Sequence, residues 1–177
     1  IGRRVDDYLV KPASPRQVLS VVTRILEGSA IRQQQAAQDF AQRFPRLTVL
    51  RQEARSPEAF AGVYEELVDW HVRLEAAGES GLLDSVVALL TDLRRDFGSW
   101  IRQHYPRWVR GREDRPVLSV DLVREHLLPH LGSDPVFFVI LDCMRLDQWR
   151  VISPLLARYF EMEESLHYSI LPTATPY

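Results

Sequence analysis

Six apolar residues in a row, Val136-Phe137-Phe138-Val139-Ile140-Leu141, stop abruptly at Asp142. β-Branched and aromatic residues without polar alternation suit a strand buried on both faces, and such strands lie inside sheets covered by helices. This run argues for an α/β region more firmly than any other stretch. Behind it, Leu146, Trp149, Ile152, Leu155, Leu156 and Tyr159 recur at three- and four-residue spacing, the pattern of an amphipathic helix. In open α/β sheets ligands collect outside the C-terminal strand ends, so a carboxylate at 142 stands where chemistry is expected. The other reading of Asp142 is as the cap of the following helix. Ser165 to Leu171 can form a second short strand, which runs into Pro172-Thr173-Ala174-Thr175-Pro176-Tyr177.

Together the two corners resemble the opening of the alkaline phosphatase superfamily, in its PglZ-like branch. There, a strand-end Asp in a D-x-x-R-x-D pattern (here Asp142, Arg145 and Asp147) binds a catalytic metal. A Thr in a P-T-x-T setting after the next strand is the nucleophile and a metal ligand, which points to Thr175. Arg145 becomes a candidate substrate contact. A threonine hydroxyl is a poor nucleophile at neutral pH, and coordination to a divalent metal is one way to activate it. The resemblance covers roughly Asp134 to Tyr177. Asp142 and Thr175 lie 33 residues apart, room for one helix and one strand in a βαβ crossover.

The N-terminus carries a second resemblance. Val5-Asp6-Asp7-Tyr8-Leu9-Val10-Lys11-Pro12 resembles the last strand of a response-regulator receiver domain. Lys11 is the only lysine in a chain whose other basic residues are arginines, so the position favours a compact ammonium over a planar fork. In receivers the matching lysine pairs with the phosphorylated aspartate, the next proline takes a cis bond, and the position of Tyr8 carries an aromatic whose rotamer reports phosphorylation. Ser14-Pro15 then starts a helix, with Ser as cap and Pro at its first position. Val18, Val21, Val22, Ile25 and Leu26 form its apolar face, and Gly28 marks its end. This would be the receiver's last helix, a surface many receivers use to dimerise.

Between the two, residues 30–132 read as helical throughout. Ile31 to Phe44 is polar on most sides and broken by Pro45. Ser56-Pro57 opens a second helix that ends near Gly78, and a third runs from about Leu82 to Tyr105-Pro106. A short fourth opens at Leu118-Ser119-Val120-Asp121. They imply a small antiparallel bundle. The stretch Arg94 to Arg115 holds seven arginines against three acids, interleaved with Trp100, Tyr105 and Trp108. Arginine with stacking aromatics is a single-strand nucleic-acid pattern, but the helical spacing places these rings in a core first. His126 and His130 straddle Pro129, which distorts the turn a metal pair would need.

At 46% hydrophobic and 26% charged the chain is ordinary for a globular protein, and its net charge of −2 exerts no general pull on nucleic acid or anionic membrane. The single cysteine, Cys143, excludes an intrachain disulfide and fits a reducing, cytoplasmic compartment. No apolar run approaches the roughly 20 residues needed to span a bilayer. The lack of an initiator Met and the ending inside a motif read as a piece of a longer protein.

The expected fold class is therefore mixed: the C-terminal end of an α/β receiver domain (last strand and helix, residues 1–28), an all-α linker bundle (29–132), and the first βαβ unit of an alkaline-phosphatase-like domain (133–177). That order resembles the PorX group of response regulators with a PglZ output domain. The resemblance implies a zinc-dependent phosphodiesterase or phosphatase with two ions in its complete site, acting on a phosphate ester or nucleotide. It further implies a sensor histidine kinase as partner, a phosphorylation-dependent homodimer, and a sigma factor or secretion-system regulator of type IX secretion. The competing class is a catalytically silent phosphatase-like domain that serves as a phospho-dependent protein-interaction module.

Overall fold

A computed structural model describes residues 11–111, 115–132 and 134–173. Three long helices dominate it: α1 (Pro15–Glu53), α2 (Pro57–Ala77) and α3 (Ser80–Val109). Ser14 caps α1 through a capping box, its hydroxyl accepting from the Gln17 amide at 3.3 Å. Ser56 caps α2 with its hydroxyl alone, accepting from the Ala59 amide at 3.2 Å. Gly78 ends α2 in the left-handed region, φ 78°, where a Cβ would be strained. With connections this short, successive helices must run antiparallel.

The bundle closes on Phe40, Leu47, Leu67, Leu74 and Val86, all fully buried, with Phe60, Trp70, Leu89, Leu90 and Leu93 around them. Ion pairs tie its outer faces. Arg43 grips Glu66 with both arms (2.5 and 2.8 Å), Arg73 pairs with Asp39, and Arg51 with Asp96.

The linker bundle expected at the centre is thus present, but the helix ends expected at Gly28, Pro45 and Pro106 are not; α3 runs through Pro106 to Val109. α1 passes through Gly28 and through Pro45. A helix-interior glycine costs about 1 kcal/mol, too little to end a helix already growing from a capped start. Proline costs about 3 kcal/mol. Phe40 and Leu47, one on each side of Pro45, are both fully buried, and at roughly 1.5–3 kcal/mol each they offset that cost.

After α3 the chain makes a short run of tight turns: a 3₁₀ turn at Ser119–Asp121, a wide π turn at Val123–Leu127, and a 3₁₀ turn at Leu128–His130. The distortion expected around Pro129 is there. A last helix, α4 (Leu146–Leu156), packs on α2.

The mixed fold class is not what the described residues form. They contain no strand, and hence no βαβ unit and no receiver sheet; Tyr8 and the rest of the strand expected at the N-terminus lie outside them. Val136–Leu141 has no regular structure and pairs with no described residue, with exposures from 41% at Val136 to 88% at Phe137. Ser165–Leu171 makes one parallel bridge, Leu118 with Tyr168, through Ser119 N to Tyr168 O (2.8 Å) and Tyr168 N to Val117 O (3.0 Å). The physical reason is pairing. A strand needs neighbours on its edges, and among the described residues Ser165–Leu171 bridges to Leu118 and not to Val136–Leu141. The face Val18, Leu19, Val22, Ile25 and Leu26 of α1 is likewise exposed rather than packed on a sheet.

Candidate functional site

Asp142 sits on the turn that leads into α4. Its Oδ1 accepts from the Cys143 amide at 2.9 Å, and Cys143 takes a positive φ of 59° to make that turn. Both residues are exposed, beside a shallow hollow of about 410 Å³ lined by Leu141, Met144, Gln148 and Ile152. Asp142 therefore does not cap α4. The capping role falls to Gln148, whose Oε1 accepts from the Arg145 amide at 3.0 Å.

Arg145 and Asp147 form their own pair, Nε to Oδ1 at 2.9 Å and Nη2 to Oδ2 at 2.7 Å. The guanidinium beside Asp147 holds its carboxyl below the usual range. Asp147 thus faces Arg145 from the first turn of α4, and Arg145 stays exposed with one flank neutralised.

Of the other sequence-picked residues, Lys11 is exposed and the Lys11–Pro12 bond is cis, as the receiver-like motif implies. Tyr8 and Thr175 lie outside the described residues. A catalytic zinc takes about three protein ligands and keeps one position open for water or substrate. One carboxylate oxygen donor such as Asp142 suits it as a single member of that set. Among the described residues no group of three His, Cys, Asp or Glu is placed to hold a metal ion, so they do not make the site by themselves.

Sequence reasoning missed how the C-terminal segment docks. Arg150, on α4, reaches three carboxylates: Nε to Asp69 Oδ1 at 2.6 Å, Nη2 to Glu65 Oε1 at 3.2 Å, and Nη1 to Glu164 Oε1. Burial opposes its charge, but Glu164 and Asp69 outweigh that and its pKa is raised. Trp149 Nε1 donates to Glu164 Oε2 at 2.9 Å, which with Arg150 lowers the pKa of Glu164.

Farther along, Tyr168 lodges against Phe97 and Trp108 (ring centroids 5.8 and 6.2 Å) and its hydroxyl donates to the Pro57 carbonyl at 2.5 Å. Burial, then Glu58, pushes that phenol up to about 12. The rings Trp100, His104, Tyr105 and Trp108 belong to the same aromatic nest, the core role their spacing favoured over nucleic-acid stacking. Tyr105 Oη accepts from the Leu171 amide at 2.7 Å, so the chain is held up to the start of Pro172-Thr173. Beneath Tyr168 lies an apolar cavity of about 300 Å³ between α2 and α3. The sequence signal for these anchors was one arginine on the polar side of α4 and one tyrosine in a short apolar run, neither of which announces a distant partner.

No described helix is long and apolar enough to cross a membrane. Residues 30–109, from the middle of α1 through α3, match the family model described as the PorX response regulator linker domain. The match ends before Asp142. No curated protein matches the chain.

Proposed function

We propose that this chain belongs to a response regulator whose output is a metal-dependent phosphodiesterase or phosphatase. The observation that carries the reading is the linker-domain match at residues 30–109, followed in the chain by Asp142-x-x-Arg145-x-Asp147 and Pro172-Thr173-Ala174-Thr175. The linker match supports the regulator half, and with it a sensor histidine kinase as partner. Lys11 and Tyr8 would belong to the phosphorylation switch, and a phosphorylation-dependent homodimer would be its readout.

In the output half, Asp142 would serve as one ligand of a zinc site completed by residues other than those described. Zinc bound there would supply Lewis acidity toward a phosphoryl oxygen. Thr175 Oγ1 would attack phosphorus while the ester oxygen leaves, and water would then release the phosphoryl group from the threonine. Arg145 keeps donors free of Asp147 and would meet a phosphate or nucleotide oxygen of the substrate.

The test is hydrolysis of bis(p-nitrophenyl) phosphate by the full-length protein with zinc, with and without receiver phosphorylation. Thr175→Ala should lower the rate at least about a hundredfold, the low end of one positioned catalytic group, and Thr173→Ala should be mild. A full-length protein that turns over no phosphate ester, yet captures a partner protein only when phosphorylated, would establish the silent interaction module instead.

A further inference from the structure

Arg150 joins three segments that the sequence keeps far apart. It belongs to α4, which starts directly after the Asp142 turn. It holds Glu65 and Asp69, one helical turn apart on linker helix α2. It also holds Glu164, on the stretch that leads through Tyr168 to Pro172-Thr173. Its side chain is only 20% exposed, so these contacts are less screened than surface pairs. The fork geometry matters here: a guanidinium spreads its N–H groups over three nitrogens and reaches three separated carboxylates, where the three donors of an ammonium sit on one atom.

Removing the guanidinium would leave Glu65, Asp69 and Glu164 facing one another with no shared counter-charge. Like charges at that range repel, and α4 would lift from α2 while Tyr168 and Leu171 keep the following segment on the bundle. Asp142 and the threonine-bearing segment would then no longer keep one mutual geometry.

We infer that Arg150 is a positioning residue, registering Asp142 and the segment that leads to Pro172-Thr173 to each other and to linker helix α2. The inference rests on the phosphoesterase reading above and adds the route by which linker and reaction centre are joined. A shift of α2 reaches both halves of the site through one side chain.

Two readouts on the full-length protein test it: hydrogen exchange of the α4 amides, and kcat and KM for bis(p-nitrophenyl) phosphate. Arg150→Ala should speed α4 exchange at least about tenfold. It should lower kcat roughly a hundredfold with KM nearly unchanged, as expected for misplaced groups rather than lost binding. Glu65→Gln with Asp69→Asn, which touches only the α2 side, should move both readouts the same way. Arg150→Lys, whose three donors sit on a single nitrogen and span less of the carboxylate group, should recover part of each.

An active wild type whose kcat survives Arg150→Ala overturns the inference, whatever α4 exchange does. So does a kcat loss in Arg150→Ala that the α2 double variant fails to reproduce, since Arg150 would then act directly and not through the linker. A wild type with no phosphodiester turnover fails at a different point: it removes the proposed function, and the positioning role with it.

Discussion

Asp142 and Asp147 stand in the same motif but in different company. Asp142 has one oxygen on the Cys143 amide at the exposed turn, whereas both oxygens of Asp147 are taken by Arg145. In the full-length protein, Asp142→Asn should lose zinc affinity while Asp147→Asn keeps most of it; equal losses in zinc titrations of the two variants would show the assignment to be wrong. Asp121 carries a different residue-scale consequence. Arg115 grips it with both arms, the Leu118 amide donates to it at 3.0 Å, and Arg124 adds a third partner. Arg115 first, then that amide, hold its carboxyl well below the usual carboxylate range. A depressed folded pKa means stability that is present above the unfolded value of about 3.9 and lost as pH falls toward the folded one. Melting curves should therefore show Asp121→Asn less stable than wild type at pH 7, with the gap closing under strong acid.

At the scale of elements, the length of α1 is the feature that most needs a cause. Its propensity pattern contains two interruptions, Gly28 and Pro45, yet the helix runs unbroken from Pro15 to Glu53. Burial of Phe40 and Leu47 supplies the reason, and it makes a prediction. Pro45→Ala restores an N–H that can bond the Ala41 carbonyl and removes the ring clash at that turn. It should raise the stability of the bundle by up to about 3 kcal/mol, measured by denaturant unfolding; a destabilised variant would mean that the proline shapes α1 to fit its neighbours. α4 shows the opposite balance. It has an amphipathic sequence but no fully buried residue, and its seat on α2 depends heavily on Arg150.

For the whole molecule, the buried cluster from Ala36 to Leu93 falls inside the span matched by the linker family. The described residues outside that span are attached to it: α1 extends beyond it on one side, and the C-terminal segment docks through Arg150 and Tyr168 on the other. Residues 30–109 alone should fold as a helical unit with a single cooperative melt by circular dichroism. It should melt below the longer chain, because removing Tyr168 uncovers Phe97 and Trp108. A fragment that melts without cooperativity would mean that the C-terminal segment is part of the core rather than a guest on it.

Local chemistry alone determined the starts of α1 and α2, the stop at Gly78, the distorted turn at Pro129 and the amphipathic α4, because caps, αL glycines and periodicity act within a few residues. The same local reach explains why Asp142 could be singled out and why its turn emerged where the apolar run stops. Tertiary structure alone decided three things. It carried α1 through Pro45, since only the depth at which Phe40 and Leu47 are buried says whether a proline is tolerated. It left Val136–Leu141 unpaired, since composition announces a taste for burial but pairing needs a neighbour's edge. And it brought Arg150 to Glu65, Asp69 and Glu164, a meeting of residues up to 85 positions apart that no periodicity encodes.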